Sequence, residues 1–281
     1  MSDESALARR EFVWANDSVS TDYRYAIRSA RLLEKFPSDF QNVEVPESQS
    51  FGRLLRLDGS FTVSEKDEFF HHGNLVHVPA CTHEMPKTAL IVGGGDGGAA
   101  EELLKHECIK HVALMEIDQA VVDIARHDFY KVHRGVIDAE GGDARLHIRI
   151  HDGLDYIKAT KEEYDWMILD LPDLGEPSKS LYSAAFYQAC AAKFKPGGSM
   201  SLHVASPFAH PTRVVGTLTN LCAAFAVVRP YLVSVPLSGG RWMMATVSES
   251  LDPARPKPTQ ADQRLADRAV TSLQYYNGCI H

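Results

Sequence analysis

Five acidic residues end short apolar segments or follow them directly: Asp96, Glu116, Asp152, Asp170 and Asp173. Asp170 closes the segment YDWMILD, and Asp173 follows in a proline-containing loop. Open α/β sheets bind their ligands at the carboxyl ends of the strands, where such side chains meet. A carboxylate there can accept a proton or attract a cation. Helix capping and turn formation are alternative roles for these aspartates. Together, however, the acidic residues favour a crevice that admits an amine and rejects a phosphate.

The glycine-rich segment LIVGGGDGG connects an apolar strand to a helix-like segment. Gly93, Gly95 and Gly98 satisfy G-x-G-x-x-G in the context that a nucleotide site requires. No Lys-Ser/Thr follows, which excludes a P-loop. Asp96 would repel a pyrophosphate, so a nicotinamide dehydrogenase is the weakest interpretation. An adenosyl-sulfonium ligand with a cationic tail suits Asp96 better, and helix N-capping is an equal alternative for this residue.

Two further positions fit an adenosine. Glu116 ends the next strand, where a carboxylate can accept hydrogen bonds from both ribose hydroxyls. Asp152 and Gly153 follow another strand, at a position that can face the adenine amino group. A solvated strand end and an Asp-Gly turn are the respective alternatives.

The order of elements predicts how these residues are positioned. From residue 83 strands and helices alternate, which predicts a doubly wound, Rossmann-like α/β domain over residues 83–281, similar to class I methyltransferases and with a C-terminal helix. Residues 1–82 contain short alternating stretches and predict a small, β-rich N-terminal domain. Within it, Asp58-Gly59 indicates a tight β-hairpin.

Composition restricts the class of protein. The 281 residues carry a formal charge of −8, so no nucleic-acid partner is expected. Five cysteines without CxxC spacing indicate reduced thiols in a cytoplasmic protein and no zinc site. The polar N-terminal segment does not resemble a signal peptide, and no apolar run is long enough for a membrane span.

Taken together, four segments resemble the spermidine/spermine synthase family, the polyamine aminopropyltransferases. They are LRLDGSFTVSEKDEFFHH, LIVGGGDGGAAEELLKH with MEID, YDWMILDLPD, and LQYYNGCIH. The resemblance extends from about residue 40 to residue 281, and its D-L-P-D form resembles a bacterial branch of the family.

The resemblance implies an activity and a role for each site residue. The donor would be decarboxylated S-adenosylmethionine, with no prosthetic group and no metal, and methylthioadenosine would leave. By the same resemblance, a homodimer or homotetramer acts on putrescine or a longer polyamine. Eleven residues match the family's site. On the donor side they are Gln41 near the nucleoside, Asp96 at the aminopropyl amine, Glu116 at the ribose, Asp152 and Gly153 at the adenine, and the loop glycines Gly93, Gly95 and Gly98. The others are Asp170 as catalytic residue, and Asp173 and His72 at the acceptor amine.

The chain departs from the family pattern on the acceptor side. Thr62 replaces the usual Gln, His71 the usual Tyr and Gly73 the usual Glu, whereas His72 is retained. These changes leave the acceptor open. They also leave two alternative functions: a methyltransferase that uses intact S-adenosylmethionine, and a nucleoside-binding relative without catalysis.

Overall fold

A computed structural model describes residues 13–172 and 178–281. The N-terminal part consists of a two-stranded antiparallel ribbon and a four-stranded antiparallel sheet. Their strands are β1 (Val13–Ser18), β2 (Arg24–Ser29), β3 (Arg31–Pro37), β4 (Asn42–Ser48), β5 (Gly52–Leu57) and β6 (Ser60–Ser64). The predicted hairpin is confirmed. Asp58 and Gly59 join β5 to β6 with φ values of 49° and 86°, the left-handed conformations that a two-residue type I′ turn requires.

Residues Glu68–Thr82, which the sequence predicts within the β-rich part, form helix α1. Most of its side chains are buried, including His72, His77 and Leu75. A helix that is buried all round shows no amphipathic periodicity, which explains why the sequence pattern did not reveal it. The domain boundary at residue 82 stays a prediction.

The predicted doubly wound α/β architecture is confirmed by a seven-stranded sheet of order β12-β13-β11-β10-β7-β8-β9. The strands from β7 to β11 are parallel to one another, and β13 is antiparallel to both of its neighbours. The strands are β7 (Thr88–Gly93), β8 (His111–Glu116), β9 (Leu146–Ile150), β10 (Tyr164–Asp170), β11 (Phe194–Ala205), β12 (Val227–Val235) and β13 (Gly240–Ser248). Strand order reverses between β7 and β10, so a ligand crevice is expected at the carboxyl ends of these two strands.

Helices cover both faces of this sheet. Besides α1 they are α2 (Gly98–Leu104), α3 (Gln119–Asp128), α4 (Tyr130–His133), α5 (Gly153–Ala159), α6 (Ala184–Ala191), α7 (Pro211–Cys222) and α8 (Pro258–Asp267), with a 3-10 helix over Ser178–Tyr182. In the described ranges, no helix combines the length and the apolar character that crossing a bilayer requires.

Side chains alternate between the two faces of the central strands, as expected for β-strands. On one face, Leu90 and Met167 pack against apolar residues of α5, α6 and α7. On the other, Ile91 and Trp166 pack against α1 and α2. Both faces of β7 and β10 are therefore covered by helices, which fixes the position of the loops at their carboxyl ends.

Candidate active site

The glycine loop between β7 and α2 lies directly against the end of β10. Gly93 has φ 80°, and a Cβ atom there would lie 2.2 Å from the carbonyl oxygen of Asp170. Gly94 donates its backbone N–H to that same oxygen at 2.9 Å. Glycine is therefore required at position 93 by both conformation and space, and the loop brings Asp96 and Asp170 to the same edge of the sheet.

Asp96 lies inside this edge with its side chain buried. Its Oδ1 atom accepts a hydrogen bond from the backbone N–H of Gly98 at 2.8 Å, at the start of α2. The N-cap residue of α2 is Gly97, so Asp96 is not the N-cap that the alternative proposed. The other contact of Asp96 is with His72, whose Nε2 atom is 3.6 Å from Oδ1 of Asp96. Burial raises the pKa of Asp96, and the charge of His72 opposes that shift.

Glu116 ends β8 and lies beneath the same loop. Its Oε2 atom accepts the backbone N–H of Gly95 at 3.1 Å, and its Oε1 atom accepts that of Asp118 at 3.0 Å. Burial raises the pKa of Glu116 to about 7, although these backbone N–H groups favour the ionised form. Gln41 lies in the turn between β3 and β4, and its amide donates to Oδ2 of Asp118 at 2.9 Å.

Asp152 caps the N-terminus of α5. Its Oδ1 atom accepts the backbone N–H groups of Leu154 and Asp155 at 2.7 and 3.2 Å. A Cβ atom on Gly153 would lie 2.3 Å from Cγ1 of Val92, so only glycine lets α5 begin so close to β7. Asp152 and Gly153 thus form the start of a helix and not an Asp-Gly turn. Both residues also line the cavity described below.

Two histidines of α1 contact Asp170. Nε2 of His71 is 3.1 Å from its Oδ1 atom, and Nε2 of His72 is 3.6 Å from its Oδ2 atom. Burial alone would raise the pKa of Asp170, but the His71 hydrogen bond and the charges of both histidines lower it to about 2. Asp170 is consequently ionised at neutral pH.

The ring of His72 is buried among three carboxylates. Nδ1 is 2.9 Å from Oε2 of Glu68, one helical turn earlier, and Nε2 faces Asp96 and Asp170. Burial disfavours the protonated ring, yet Asp96, Glu68 and Asp170 together raise the pKa of His72 to about 10. A Cβ atom on Gly98 would lie 2.2 Å from Cε1 of this ring, so Gly98 makes room for it.

A cavity of about 360 Å³ connects these residues. Most of the residues predicted from the sequence line it: Gln41, His72, Gly93, Gly95, Asp96, Glu116, Asp152, Gly153 and Asp170. Gly98 is not among the lining residues and lies behind His72. Asp173 lies outside the described residues.

The cavity also contains residues that the sequence did not assign to it, among them Asp17, Tyr25, His203 and Trp242. Asp17 and Tyr25 come from the N-terminal ribbon, which therefore forms one wall of the cavity. Glu68 contacts Nδ1 of His72, the ring nitrogen opposite to the one that faces Asp96 and Asp170. The i, i+4 spacing of Glu68 and His72 was the sequence signal from which this contact could have been predicted.

The fold and the cavity define a Rossmann-like α/β protein with an acidic, nucleoside-sized site at its topological switch point. The spermine/spermidine synthase domain model matches residues 68–255, and the spermidine synthase tetramerisation domain model matches residues 30–65. The chain belongs to the spermine/spermidine synthase family, and the resemblance found in its sequence is confirmed.

Individual relatives cover nearly the whole chain. The polyamine aminopropyltransferase of Nitrosomonas europaea is 41% identical over 95% of this chain and 81% of its own length. That of Moorella thermoacetica is 33% identical over 96% of this chain and 91% of its own. A crystal structure of spermidine synthase in complex with the transition state analogue AdoDATO superposes with a TM-score of 0.89, at 30% identity, over 99% of this chain and 94% of that one. The crystal structure of spermidine synthase from Thermotoga maritima superposes with a TM-score of 0.85, at 30% identity, over 99% of this chain and 93% of that one.

Proposed function

We propose that this chain is a polyamine aminopropyltransferase, which moves the aminopropyl group of decarboxylated S-adenosylmethionine to an amine and releases methylthioadenosine. One observation carries the proposal. Asp96 and Asp170 approach the same imidazole atom, Nε2 of His72, at 3.6 Å each, at the carboxyl ends of the two strands where the sheet reverses. Such a site favours amines, and it disfavours the carboxylate that intact S-adenosylmethionine carries.

The donor nucleoside occupies the half of the cavity nearer β8. Glu116 accepts the ribose hydroxyls, Asp152 and Gly153 face the adenine, and Gln41 closes this end from the turn between β3 and β4. The backbone of Gly93 and Gly95 borders the adenosyl sulfur. Asp96 binds the primary amine of the aminopropyl tail, and its contact with Gly98 holds the carboxylate in place. No prosthetic group takes part.

The acceptor amine lies between Asp170 and the donor. At neutral pH the amine is protonated, and it cannot attack until it loses that proton. Asp170, or water held by it, accepts the proton and orients the nitrogen lone pair towards the methylene carbon beside sulfur. The new C–N bond forms as the C–S bond breaks, and sulfur keeps the electron pair as methylthioadenosine leaves. Because the sulfonium is already an activated leaving group, alignment supplies much of the remaining rate.

His72 and Asp173 complete the acceptor side of the site. His72 keeps Asp96 and Asp170 at a fixed separation, so that the donor amine and the acceptor amine are held on either side of the reacting carbon. Asp173 adds a second carboxylate for the acceptor. The acceptor is putrescine or a longer polyamine. Of the residues that depart from the family pattern, Thr62 and His71 line the cavity, whereas Gly73 does not.

A product assay tests the function directly. The purified protein is incubated with putrescine, cadaverine, 1,3-diaminopropane or spermidine, together with decarboxylated or intact S-adenosylmethionine. Amine-dependent release of methylthioadenosine supports aminopropyl transfer. Release of S-adenosylhomocysteine would establish a methyltransferase instead, and tight methylthioadenosine binding without turnover would indicate a relative that has lost catalysis.

The protein is a homo-oligomer in this proposal, either a dimer or a tetramer. The matched tetramerisation segment, residues 30–65, supports it, and so do exposed apolar side chains of the N-terminal part such as Trp14 and Leu32. Light scattering coupled to size-exclusion chromatography distinguishes the two states, and a monomer at micromolar concentration would contradict both. The cytoplasmic location expected from the cysteines stays a prediction.

A further inference from the structure

The acceptor side of the cavity contains a cluster of metal-ligating side chains. His71, His72 and Asp170 each present one ligand atom, and these atoms all lie within 4.8 Å of one another. Two of the separations are 3.1 Å, from Nε2 of His71 to Oδ1 of Asp170, and 3.6 Å, from Nε2 of His72 to Oδ2 of Asp170. Ligand atoms around a tetrahedral zinc ion are about 3.4 Å apart, given metal–ligand bonds of about 2.1 Å.

The contacts behind these side chains are those of a metal site. Nδ1 of His72 is 2.9 Å from Oε2 of Glu68, and metal-ligating histidines commonly bind a carboxylate through the ring nitrogen that faces away from the metal. That contact leaves Nε2 directed at Asp170. The side chain of Asp170 is 9% exposed, and its Oδ2 atom is buried. Among the described residues, no group donates a hydrogen bond to this atom. Oδ2 of Asp170 is therefore available to bind a metal ion.

The charge of the site favours a dication. Three carboxylates, those of Glu68, Asp96 and Asp170, surround the imidazole of His72, and Asp170 also contacts that of His71. A bound ion displaces protons from its ligands, and the carboxylates stabilise its charge in their place. Two imidazoles and a carboxylate suit zinc and its neighbours, cobalt and nickel, better than the hard ions magnesium and calcium.

We propose that His71, His72 and Asp170 bind a divalent transition-metal ion of the zinc type. The ion occupies the position of the reacting amine, so it inhibits the enzyme rather than serving it. This inhibition rests on the proposed aminopropyl transfer, whereas the binding of the ion does not. The metal site depends on His71, because this residue adds the second imidazole. His71 is also a departure from the family pattern.

Cobalt(II) provides the direct test, because four-coordinate Co²⁺ absorbs visible light more strongly than the hydrated ion. Titration of the full chain, followed by absorption and by calorimetry, is expected to give one such ion per chain. His71→Tyr is expected to weaken binding at least tenfold. Glu68→Gln is expected to weaken it about 10- to 100-fold, the usual effect of changing a residue behind a metal ligand. Methylthioadenosine binding and circular dichroism check that each variant is folded.

His147→Asn is the matched control. His147 is exposed, and its ring lies against that of His111 with centroids 4.7 Å apart and planes inclined by 33°, so this pair is a competing imidazole site. Cobalt binding that survives in His147→Asn and is lost in His71→Tyr supports the proposal. The reverse result would overturn it, and so would a wild-type protein that shows no four-coordinate cobalt spectrum.

Inhibition is measured separately. Zn²⁺ is expected to reduce methylthioadenosine release competitively with the amine and reversibly with a chelator. Inhibition unaffected by amine concentration would contradict the assignment to the acceptor position. If the protein failed to transfer aminopropyl groups at all, the cobalt titration would still decide the metal site, so the two failures are distinguishable.

Discussion

Nε2 of His72 lies 3.6 Å from an oxygen of Asp170, and the two residues reach each other from different parts of the fold. His72 belongs to the buried helix α1, whereas Asp170 is the last residue of a central strand. The same ring atom is also 3.6 Å from Asp96. A single cationic imidazole thus lies between the two carboxylates to which we assign the donor and the acceptor, and the spacing of these carboxylates depends on how α1 packs on the sheet.

Replacement of Asp170 tests the proton-accepting role. We expect Asp170→Asn to lower kcat by about 100- to 10,000-fold, the usual contribution of a general base, while the dissociation constant of methylthioadenosine changes little. The amide keeps the shape but cannot accept the proton or attract the ammonium group. Single-turnover product formation and calorimetry measure the two quantities. A variant that kept wild-type turnover would remove Asp170 from catalysis.

Replacement of Asp96 tests the selection of the donor. We expect Asp96→Asn to raise the KM for decarboxylated S-adenosylmethionine about 10- to 150-fold, because a charged hydrogen bond contributes about 1.5–3 kcal/mol. Affinity for methylthioadenosine, which lacks the aminopropyl amine, should stay close to wild type, since Asn can still accept the N–H of Gly98. Equal losses for both nucleosides would mean that Asp96 acts only on the loop structure.

Much of the sheet edge could be predicted from local patterns. Asp170 and Glu116 each end an apolar run, and the carboxyl ends of parallel strands meet at one edge. The glycines indicated the loop for a similar reason, because Gly93 needs a conformation and a clearance that other residues do not tolerate. The strand ends and the glycine-rich loop are local patterns and are therefore visible in the sequence, whereas the clearance at Gly93 is set by Asp170 on another strand.

The contacts of α1 could not be predicted in this way. His71 and Asp170 are 99 residues apart in the chain, and only the packing of α1 against the sheet brings them together. The helix is buried on all sides, so its apolar residues do not show the one-sided spacing by which helices are recognised. Likewise, the ribbon residues Asp17 and Tyr25 line the cavity through tertiary packing alone.

A buried polar network between α1 and α2 gives a prediction about stability. Burial opposes the charge of Glu102, but hydrogen bonds from His77 and Lys105 outweigh it and lower the pKa of Glu102 from 4.5 to about 2. A lowered pKa stabilises the folded state above pH 4.5, and this contribution is lost as the pH falls towards 2. We expect Glu102→Gln to lower the free energy of unfolding by about 3 kcal/mol at pH 7 and by much less near pH 3.

Urea unfolding at a fixed protein concentration measures this difference. Glu163→Gln is the control, because Glu163 is exposed and its replacement is expected to change stability by less than about 0.5 kcal/mol. A loss for Glu102→Gln that was the same at both pH values would show that its charge is not the stabilising feature.

The raised pKa of Glu116 makes nucleoside binding depend on pH. Its value of about 7 in the free protein means that the carboxyl group holds a proton below neutrality, whereas the ribose hydroxyls bind best to the ionised form. Binding must then release the proton, so the affinity for methylthioadenosine is expected to fall as the pH drops from 8 to 6, by up to about tenfold per unit. Methylthioadenosine is the suitable probe because it lacks the amine that Asp96 binds. Calorimetry in buffers of different ionisation enthalpy counts the released proton. In Glu116→Gln the affinity should be lower and flat over this range, and a slope that persisted in the variant would assign the titration to another group.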